Sequence, residues 1–215
     1  MPGFLISAAI LVVAIPTLCG GFAMIHRGQA GSALRGMAAA YPWSFEKGND
    51  TSRTMAMSTA EEILRKANYA SVPRDLAAKV WVSENLPKPA FGEIPTDASL
   101  EAYGKALHVD KILFGQVSWD TRSIWVNAGP KTVSTATVTV YVFDVAENKV
   151  VYTRKDKEGR SDEKSDGWKL AADVVLTPLV TVVSGGPAPP HEQRAVQIAL
   201  GKALHAWVHT EASRR

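Results

Sequence analysis

The chain has 215 residues, of which 46% are hydrophobic, and a formal net charge of +3 at pH 7. That length suits one packed domain with a short leading segment. Because Lys and Arg are interleaved with Asp and Glu instead of forming a basic stripe, the sequence does not indicate a nucleic-acid partner. Cys19 lies in an apolar leading segment, so the rest of the sequence has no disulfide, no thiol nucleophile and no cysteine metal cluster.

The leading segment is the first feature that bears on function. Residues 4–25 form an almost wholly apolar, uncharged run, and its length approaches the ~20 residues with which a helix crosses a bilayer. We interpret residues 1–28 as a signal peptide or membrane anchor. Three alternatives stay open: a cleaved export signal, a retained anchor, or a lipoprotein signal in which Cys19 carries the lipid.

Residues next to the apolar run bear on these alternatives. Gly20 and Gly21 fit a lipoprotein signal, whereas Leu18 is bulkier than the small residue that usually precedes the lipidated cysteine. No Lys or Arg precedes the run, while Arg27 and Arg35 follow it. The positive-inside rule taken alone therefore favours a cytoplasmic body, in opposition to the export interpretations.

After a linker at residues 29–36, we expect a single α/β domain at residues 37–210. Ser58 and Glu61 have the spacing of a capping box, which predicts a helix that ends near Asn68. The other elements predicted before residue 97 are, in order, a strand at 37–43, a polar loop at 45–53, a strand at 69–72, a helix from Pro73 and a loop at 86–95.

Residues 97–120 are the part around which the predicted fold is organised. Apolar residues recur at helical spacing after Asp97, a residue type that caps helices. Residues 111–119 are then rich in β-branched and aromatic side chains, with apolar residues on both faces, which predicts a strand inside a sheet. Gly115 leaves a gap on one face, and we expect a large neighbouring side chain to fill it.

The second half of the domain is predicted to begin with a hairpin. Its elements are, in order, a turn at 127–130, a half-buried strand at 132–145, a returning strand at 150–154, a charged loop at 155–169, a helix at 167–183 broken near Pro178, and a clear helix at 191–209. The predicted fold is therefore a mixed α/β sandwich. It has a sheet of about four strands with a long antiparallel hairpin, and helices packed on it.

Two motifs give the chain a family resemblance. A helix, the segment G-K-A-L-H-V-D-K-I-L-F-G-Q-V, a long alternating strand and then V-F-D-V-A-E-N-K-V-V-Y resemble the α/β domain of bacterial cell-envelope proteins. These are the curli-secretion lipoprotein family (CsgG-like), the penicillin-binding-protein activator lipoproteins and the N-terminal domain of TolB. The resemblance implies an envelope α/β fold. Residues 120–131 are too short for a membrane-spanning hairpin, so pore formation is not implied.

No catalytic, cofactor or metal site is predicted. His205 and His209 lie one helical turn apart, but no third ligand accompanies them, which favours an exposed histidine face. Four acidic residues stand among basic ones without the spacing of a calcium loop: Glu158, Asp162, Glu163 and Asp166. No G-x-S-x-G motif and no glycine-rich phosphate loop occurs in the sequence.

These observations favour a non-enzymatic cell-envelope protein that binds another protein, or assembles with itself, at a membrane face. Trp119, Trp125 and Trp168 flank the predicted hairpin; core packing is the default for them, but they would also suit a partner surface. The alternative hypothesis is a small-ligand-binding or hydrolytic domain. A pocket that gathers His108, Asp110 and residues 120–131 would favour it.

Overall fold

The computed structural model describes residues 34–127, 129–163 and 191–213. These residues belong to one compact unit, Ala33–Arg215. Their strands and helices are β1 (Gly36–Ala39), β2 (Trp43–Glu46), α1 (Asp50–Lys66), β3 (Tyr69–Ser71), α2 (Arg74–Ser83), α3 (Asp97–Leu107), β4 (Lys111–Val126), β5 (Gly129–Asp144), β6 (Lys149–Arg160) and α4 (His191–Ser213). None of these four helices has the length and hydropathy of a membrane span.

Three predictions lie outside the described residues. They are the leading segment at residues 1–28, the first part of the linker and the broken helix at 167–183. The domain boundaries at residues 37 and 210 stay predictions.

The described strands form one mixed sheet in the order β3-β1-β4-β5-β6, with β2 also beside β4. β1 and β2 run parallel to β4, whereas β4, β5 and β6 are antiparallel neighbours. The predicted α/β class is confirmed. The described part of the sheet has six strands where about four were expected, in part because the chain leaves the sheet at residues 40–42 and divides the predicted strand at 37–43 into β1 and β2.

Helices cover both faces of this sheet. α1 and α4 pack on one face, against Leu113 and Val117 of β4 and Val138 of β5. α2 and α3 pack on the other face, around Ile112 of β4 and Phe143 of β5. Because successive side chains of a strand point to opposite faces, a strand with helices on both sides is apolar at both parities, as the sequence of β4 predicts.

Gly115 is the point of closest approach inside the sheet. A Cβ atom added there would lie 2.3 Å from the carbonyl oxygen of Thr139 and 3.1 Å from Cζ3 of Trp43. The ring of Trp43, from β2, fills the space beside the glycine. The expectation that a large side chain fills this gap is therefore confirmed.

The start of α1 differs from the prediction. Asn49 caps the helix, since its Oδ1 accepts a hydrogen bond of 2.8 Å from the backbone N–H of Ser52. Ser58 and Glu61 lie inside the helix, where they accept hydrogen bonds from Arg74 at the start of α2, at 3.0 and 3.4 Å. The predicted capping box is wrong, because an asparagine placed earlier satisfies the free N–H groups first.

The hairpin of β4 and β5 is longer than predicted. β4 continues to Val126, which pairs with Gly129, so most of residues 120–131 are paired strand and not loop. β6 extends to Arg160, and the first part of the predicted charged loop at 155–169 is therefore strand. Among the described residues, 122–126 and 129–133 extend past the last paired residues of β2 and β6. We call this two-stranded part the ribbon.

Candidate interaction surface on the ribbon

The end of the ribbon carries an exposed apolar group. Trp125 pairs across the ribbon with Pro130, and the residue is 83% exposed. The next residue, Val126, is also exposed. A tryptophan ring gains much of its stabilising effect from burial, so a ring left in solvent on a paired strand is available to a partner.

The charges on the ribbon are basic. Arg122 and Lys131 are its charged residues, and no Asp or Glu occurs between residues 121 and 134. Arg122 forms an ion pair with Asp120 at the base, where its Nε donates a hydrogen bond of 3.1 Å to Oδ2. Lys131 lies opposite Ile124. The exposed Trp125 and Val126 therefore lie at the end of the ribbon, and the basic side chains of Arg122 and Lys131 lie nearer its base.

Trp119, unlike Trp125, is buried. It is 3% exposed, its ring lies 6.0 Å from that of Phe45, and its Nε1 donates a hydrogen bond of 3.2 Å to the carbonyl of Glu192. A Cβ atom on Gly48 would lie 2.5 Å from its Cε3, so the loop before α1 is pressed against the ring. Trp119 thus belongs to the core and not to an exposed surface. Trp168 lies outside the described residues.

The base of the ribbon is fixed to two helices through Glu192, in the first turn of α4. Its Oε2 accepts hydrogen bonds from Nδ2 of Asn49 at 2.9 Å and from Oγ of Ser52 at 2.8 Å. Thr121 donates to Oε1 at 3.5 Å, and shares a hydrogen bond of 2.8 Å with Ser134 across the hairpin. The sequence shows an acidic residue in the first turn of a helix, where it suits the positive end of the helix dipole. The sequence does not reveal the hydrogen-bond partners of this residue.

A cavity of about 460 Å³ lies against the hairpin of β4 and β5. Its lining comes from three strands: Asp120, Arg122, Ile124, Val133, Thr135, Thr137, Glu158 and Arg160. The odd-numbered residues of β5 in this lining share a sheet face with Phe143, so the cavity is on the α2 and α3 side of the sheet. It combines an apolar wall with hydroxyl, guanidinium and carboxylate groups.

The two other residues of the predicted pocket lie elsewhere. His108 ends α3 in a left-handed conformation, with φ of 54°. Asp110 precedes β4, and its Oδ2 accepts a hydrogen bond of 2.9 Å from the backbone N–H of Met37. Both therefore lie at the end of β4 away from the ribbon, and only residues from the 120–131 segment reach the cavity.

The predicted acidic residues are dispersed. Glu158 lines the cavity, Asp162 pairs with Arg160 at 3.1 Å, and Glu163 accepts hydrogen bonds from Lys202 at 2.8 and 2.6 Å. Asp166 lies outside the described residues. Across residues 34–127, 129–163 and 191–213, no group of three or more His, Cys, Asp or Glu side chains is placed to hold a metal ion.

Comparisons with known proteins give structural likeness only. No protein-family model and no curated protein matches the chain. Lipoprotein GNA1162 from Neisseria meningitidis is 12% identical with a TM-score of 0.44, and the match covers 67% of this chain and 98% of that one. The LpoB C-terminal domain from Salmonella enterica is 9% identical with a TM-score of 0.37, over 61% of this chain and 85% of that one.

A third similar structure is the PelC dodecamer from Paraburkholderia phytofirmans, described in space group P6. It is 16% identical with a TM-score of 0.34, and the match covers 74% of this chain and 87% of that one. The similar structures thus include a bacterial lipoprotein. Likeness at this level does not assign an activity or a partner.

Proposed function

We propose that this protein is a non-enzymatic component of the bacterial cell envelope that uses its ribbon to bind another protein, or a second copy of itself, at a membrane face. The observation that carries the proposal is the 83% exposed side chain of Trp125 at the end of a ribbon whose base is fixed. Tryptophan and arginine are enriched among the residues that dominate binding energy. A fixed base lowers the entropic cost of ordering the ribbon on a partner.

The leading segment supports a location at a membrane. Residues 4–25 are apolar enough to serve as an export signal or as an anchor, and Cys19 would be the lipidated residue of a lipoprotein. The sequence resemblance to envelope families supports the same location. Attachment near a membrane would also raise the effective concentration of the ribbon for a partner held there.

The buried carboxylates support a role without chemistry. Glu211 accepts hydrogen bonds from Tyr69 and Arg35. Asp144 forms an ion pair with Lys111 and accepts bonds from its own turn. Each of these groups is used to hold the fold, whereas catalytic carboxylates are directed at a substrate site.

The test is site-specific photo-crosslinking in cells. A photoreactive residue would replace Val126, next to Trp125, in one variant and Val151 in another, because Val151 is about equally exposed but lies on β6. We expect a crosslinked product of defined mass from position 126 and none from 151. A product of twice the chain mass would indicate self-assembly. Equal crosslinking from both positions, or none from position 126, would contradict the proposal.

The location is tested separately by cell fractionation with protease added from outside the inner membrane. Wild type would be compared with Cys19→Ala. Digestion of a membrane-bound body that Cys19→Ala releases supports a lipoprotein, and digestion that Cys19→Ala leaves unchanged supports an anchor or an ordinary signal. A body protected from the protease would contradict the envelope location and support the cytoplasmic orientation.

A second candidate is a small-ligand-binding or hydrolytic domain, and the cavity beside the ribbon favours it. Its volume of about 460 Å³ falls in the range of small-molecule sites, and Thr137 and Glu158 offer hydroxyl and carboxylate groups there. A thermal-shift screen with saccharides and short peptides tests this candidate. A ligand of the cavity should stabilise wild type and Trp125→Ala alike, and should stabilise Thr137→Val less.

A further inference from the structure

Two histidines on α4 face each other outside the surfaces described so far. His205 and His209 are both exposed, and their ring centroids lie 4.4 Å apart. Their Nε2 atoms are separated by 3.1 Å. The sequence places the two residues on one side of a helix, but only the side-chain conformations bring the two nitrogen atoms together.

The separation of the two nitrogens fits a shared metal ion. A metal–imidazole bond is about 2.0–2.1 Å long, so two adjacent ligands of one ion lie about 2.9–3.4 Å apart. The Nε2 atoms at 3.1 Å are within that range. In the metal-free chain one ring donates a hydrogen bond to the other. When an ion binds, the donor ring carries its proton on Nδ1 instead, so that both Nε2 lone pairs are free to ligate.

The helix holds the two histidines in this arrangement. The opposite side of the same stretch is packed into the core, with Leu204 and Trp207 at 1% and 3% exposure. Glu211, in the last turn, accepts hydrogen bonds from Tyr69 and Arg35 of the first part of the domain. The backbone that carries both imidazoles is therefore fixed before any ion binds, which lowers the cost of chelation.

We propose that His205 and His209 form a two-histidine site for a divalent transition-metal ion, with water completing the coordination. Imidazole suits Cu²⁺, Ni²⁺ and Zn²⁺, and the general order of affinity places Cu²⁺ first. Ca²⁺ and Mg²⁺ prefer oxygen ligands and should not bind. With two protein ligands the site is exchangeable, unlike a structural zinc site with its three or four.

The site goes beyond the proposed function and does not depend on it. A bound ion would join two successive turns near the end of α4, and it would stabilise the folded chain by linkage because the unfolded chain has no preformed site. Failure of either proposal would leave the other unaffected, since the ribbon residues take no part in the metal site.

The test is isothermal titration of the full-length chain, prepared without a histidine tag, with CuCl₂, NiCl₂, ZnCl₂ and MgCl₂. We expect one Cu²⁺ per chain, weaker binding of Ni²⁺ and Zn²⁺, and none of Mg²⁺. His205→Ala and His209→Ala should each weaken Cu²⁺ binding at least about tenfold, because the second bond is no longer intramolecular. His191→Ala is the matched control, since His191 is exposed at the other end of the same helix.

Thermal unfolding of the same variants gives a second measurement. Cu²⁺ should raise the melting temperature of wild type and of His191→Ala, and should leave that of the double variant His205→Ala/His209→Ala unchanged. Equal Cu²⁺ affinity in wild type and the double variant would overturn the proposal. So would the absence of Cu²⁺ binding to wild type.

Discussion

The hydroxyl of Tyr69 donates a hydrogen bond of 3.0 Å to Oε2 of Glu211 and so joins β3 to the last turn of α4. Nη1 of Arg35 lies 3.3 Å from the same oxygen. Glu211 is 5% exposed, and a carboxylate at this depth is stable only because such donors replace its water. This contact therefore holds the two ends of the described chain in one unit.

We expect Tyr69→Phe to lower the free energy of unfolding by about 1–3 kcal/mol, since it removes a donor from a buried carboxylate. Urea denaturation measures the change. Glu158→Gln is the control, because Glu158 is exposed and its substitution should stay within about 0.5 kcal/mol. A Tyr69→Phe midpoint equal to that of wild type would show that Glu211 does not need this donor.

Buried tyrosines make the free energy of unfolding depend on pH in the alkaline range. Burial raises the pKa of Tyr69, and the neighbouring Glu211 adds to the increase; burial also raises the pKa of Tyr103. The unfolded chain loses its tyrosine protons near pH 10, before these groups ionise in the fold. The free energy of unfolding should therefore be unaffected below about pH 10 by these groups and should fall as the pH rises further.

Denaturation series at alkaline pH, with tyrosinate absorbance recorded in parallel, check this expectation. Part of the tyrosine absorbance change should coincide with loss of the folded signal. If all the tyrosines ionise together near pH 10 while the chain stays folded, the burial of Tyr69 and Tyr103 is not maintained in solution.

Asp144 makes the free energy of unfolding depend on pH in the acid range, where it should fall as the pH decreases. Burial alone would raise the pKa of Asp144, but hydrogen bonds from Lys111 and from two backbone N–H groups outweigh it and lower the pKa. The backbone donors are Ala146 and Glu147, at 2.9 and 3.0 Å. A lowered pKa means that this stabilisation is present above the unfolded value of about 4 and is lost as the pH falls through the folded value.

Asp144→Asn should therefore be less stable than wild type by about 1–3 kcal/mol at neutral pH, because the half-buried Lys111 loses its counter-ion. The difference should shrink as the pH falls below about 4. Urea denaturation of both chains from neutral to acid pH measures it. A difference that stays constant across that interval would mean that the carboxylate charge is not the stabilising feature.

Gly159→Ala should disturb the packing of α4 on β6. A Cβ atom at this position would lie 2.4 Å from the carbonyl oxygen of Ala195 and 2.4 Å from the backbone nitrogen of Ala199. Helix backbone cannot move aside as a flexible side chain does, so we expect a loss of about 1–3 kcal/mol or more. Lys155→Ala, at an exposed position of the same strand, should have little effect in the same denaturation assay.

Trp119→Ala and Trp125→Ala form a matched pair on one strand. The first removes a core side chain and should cost about 3–5 kcal/mol of unfolding free energy. The second removes a ring that is 83% exposed and should change stability by less than about 0.5 kcal/mol, while it removes the crosslinking surface. A large loss of stability in Trp125→Ala would show that the ring packs against part of the same chain.

The elements that sequence predicted well are those with a buried face. Residues 97–120 became α3 and the central strand β4, since a doubly covered strand is apolar at both parities. The clear helix at 191–209 became α4 because one apolar stripe meets the sheet. Cap positions were less accurate: Thr96, and not Asp97, accepts the N–H of Ser99 at the start of α3, at 3.2 Å.

The candidate sites could be predicted only in part. Trp119 and Trp125 have the same parity along β4, so the sequence cannot say which of them a helix covers. The ribbon has polar residues on both sides and therefore lacks the alternation that marks a half-buried strand. The separation of the nitrogens of His205 and His209 depends on side-chain rotamers, which no sequence pattern specifies.

The contacts of Glu211 also set the order in which the domain can mature. They join residues 142 and 176 positions apart, so the sheet face formed by Leu113 and Val138 has no α4 to cover it until that helix has been synthesised. Chains dominated by such distant contacts fold slowly, and exposed apolar sheet faces attract other chains meanwhile. We therefore expect the nascent domain to bind chaperones until α4 reaches its place, and to release them once the helix has packed on the sheet.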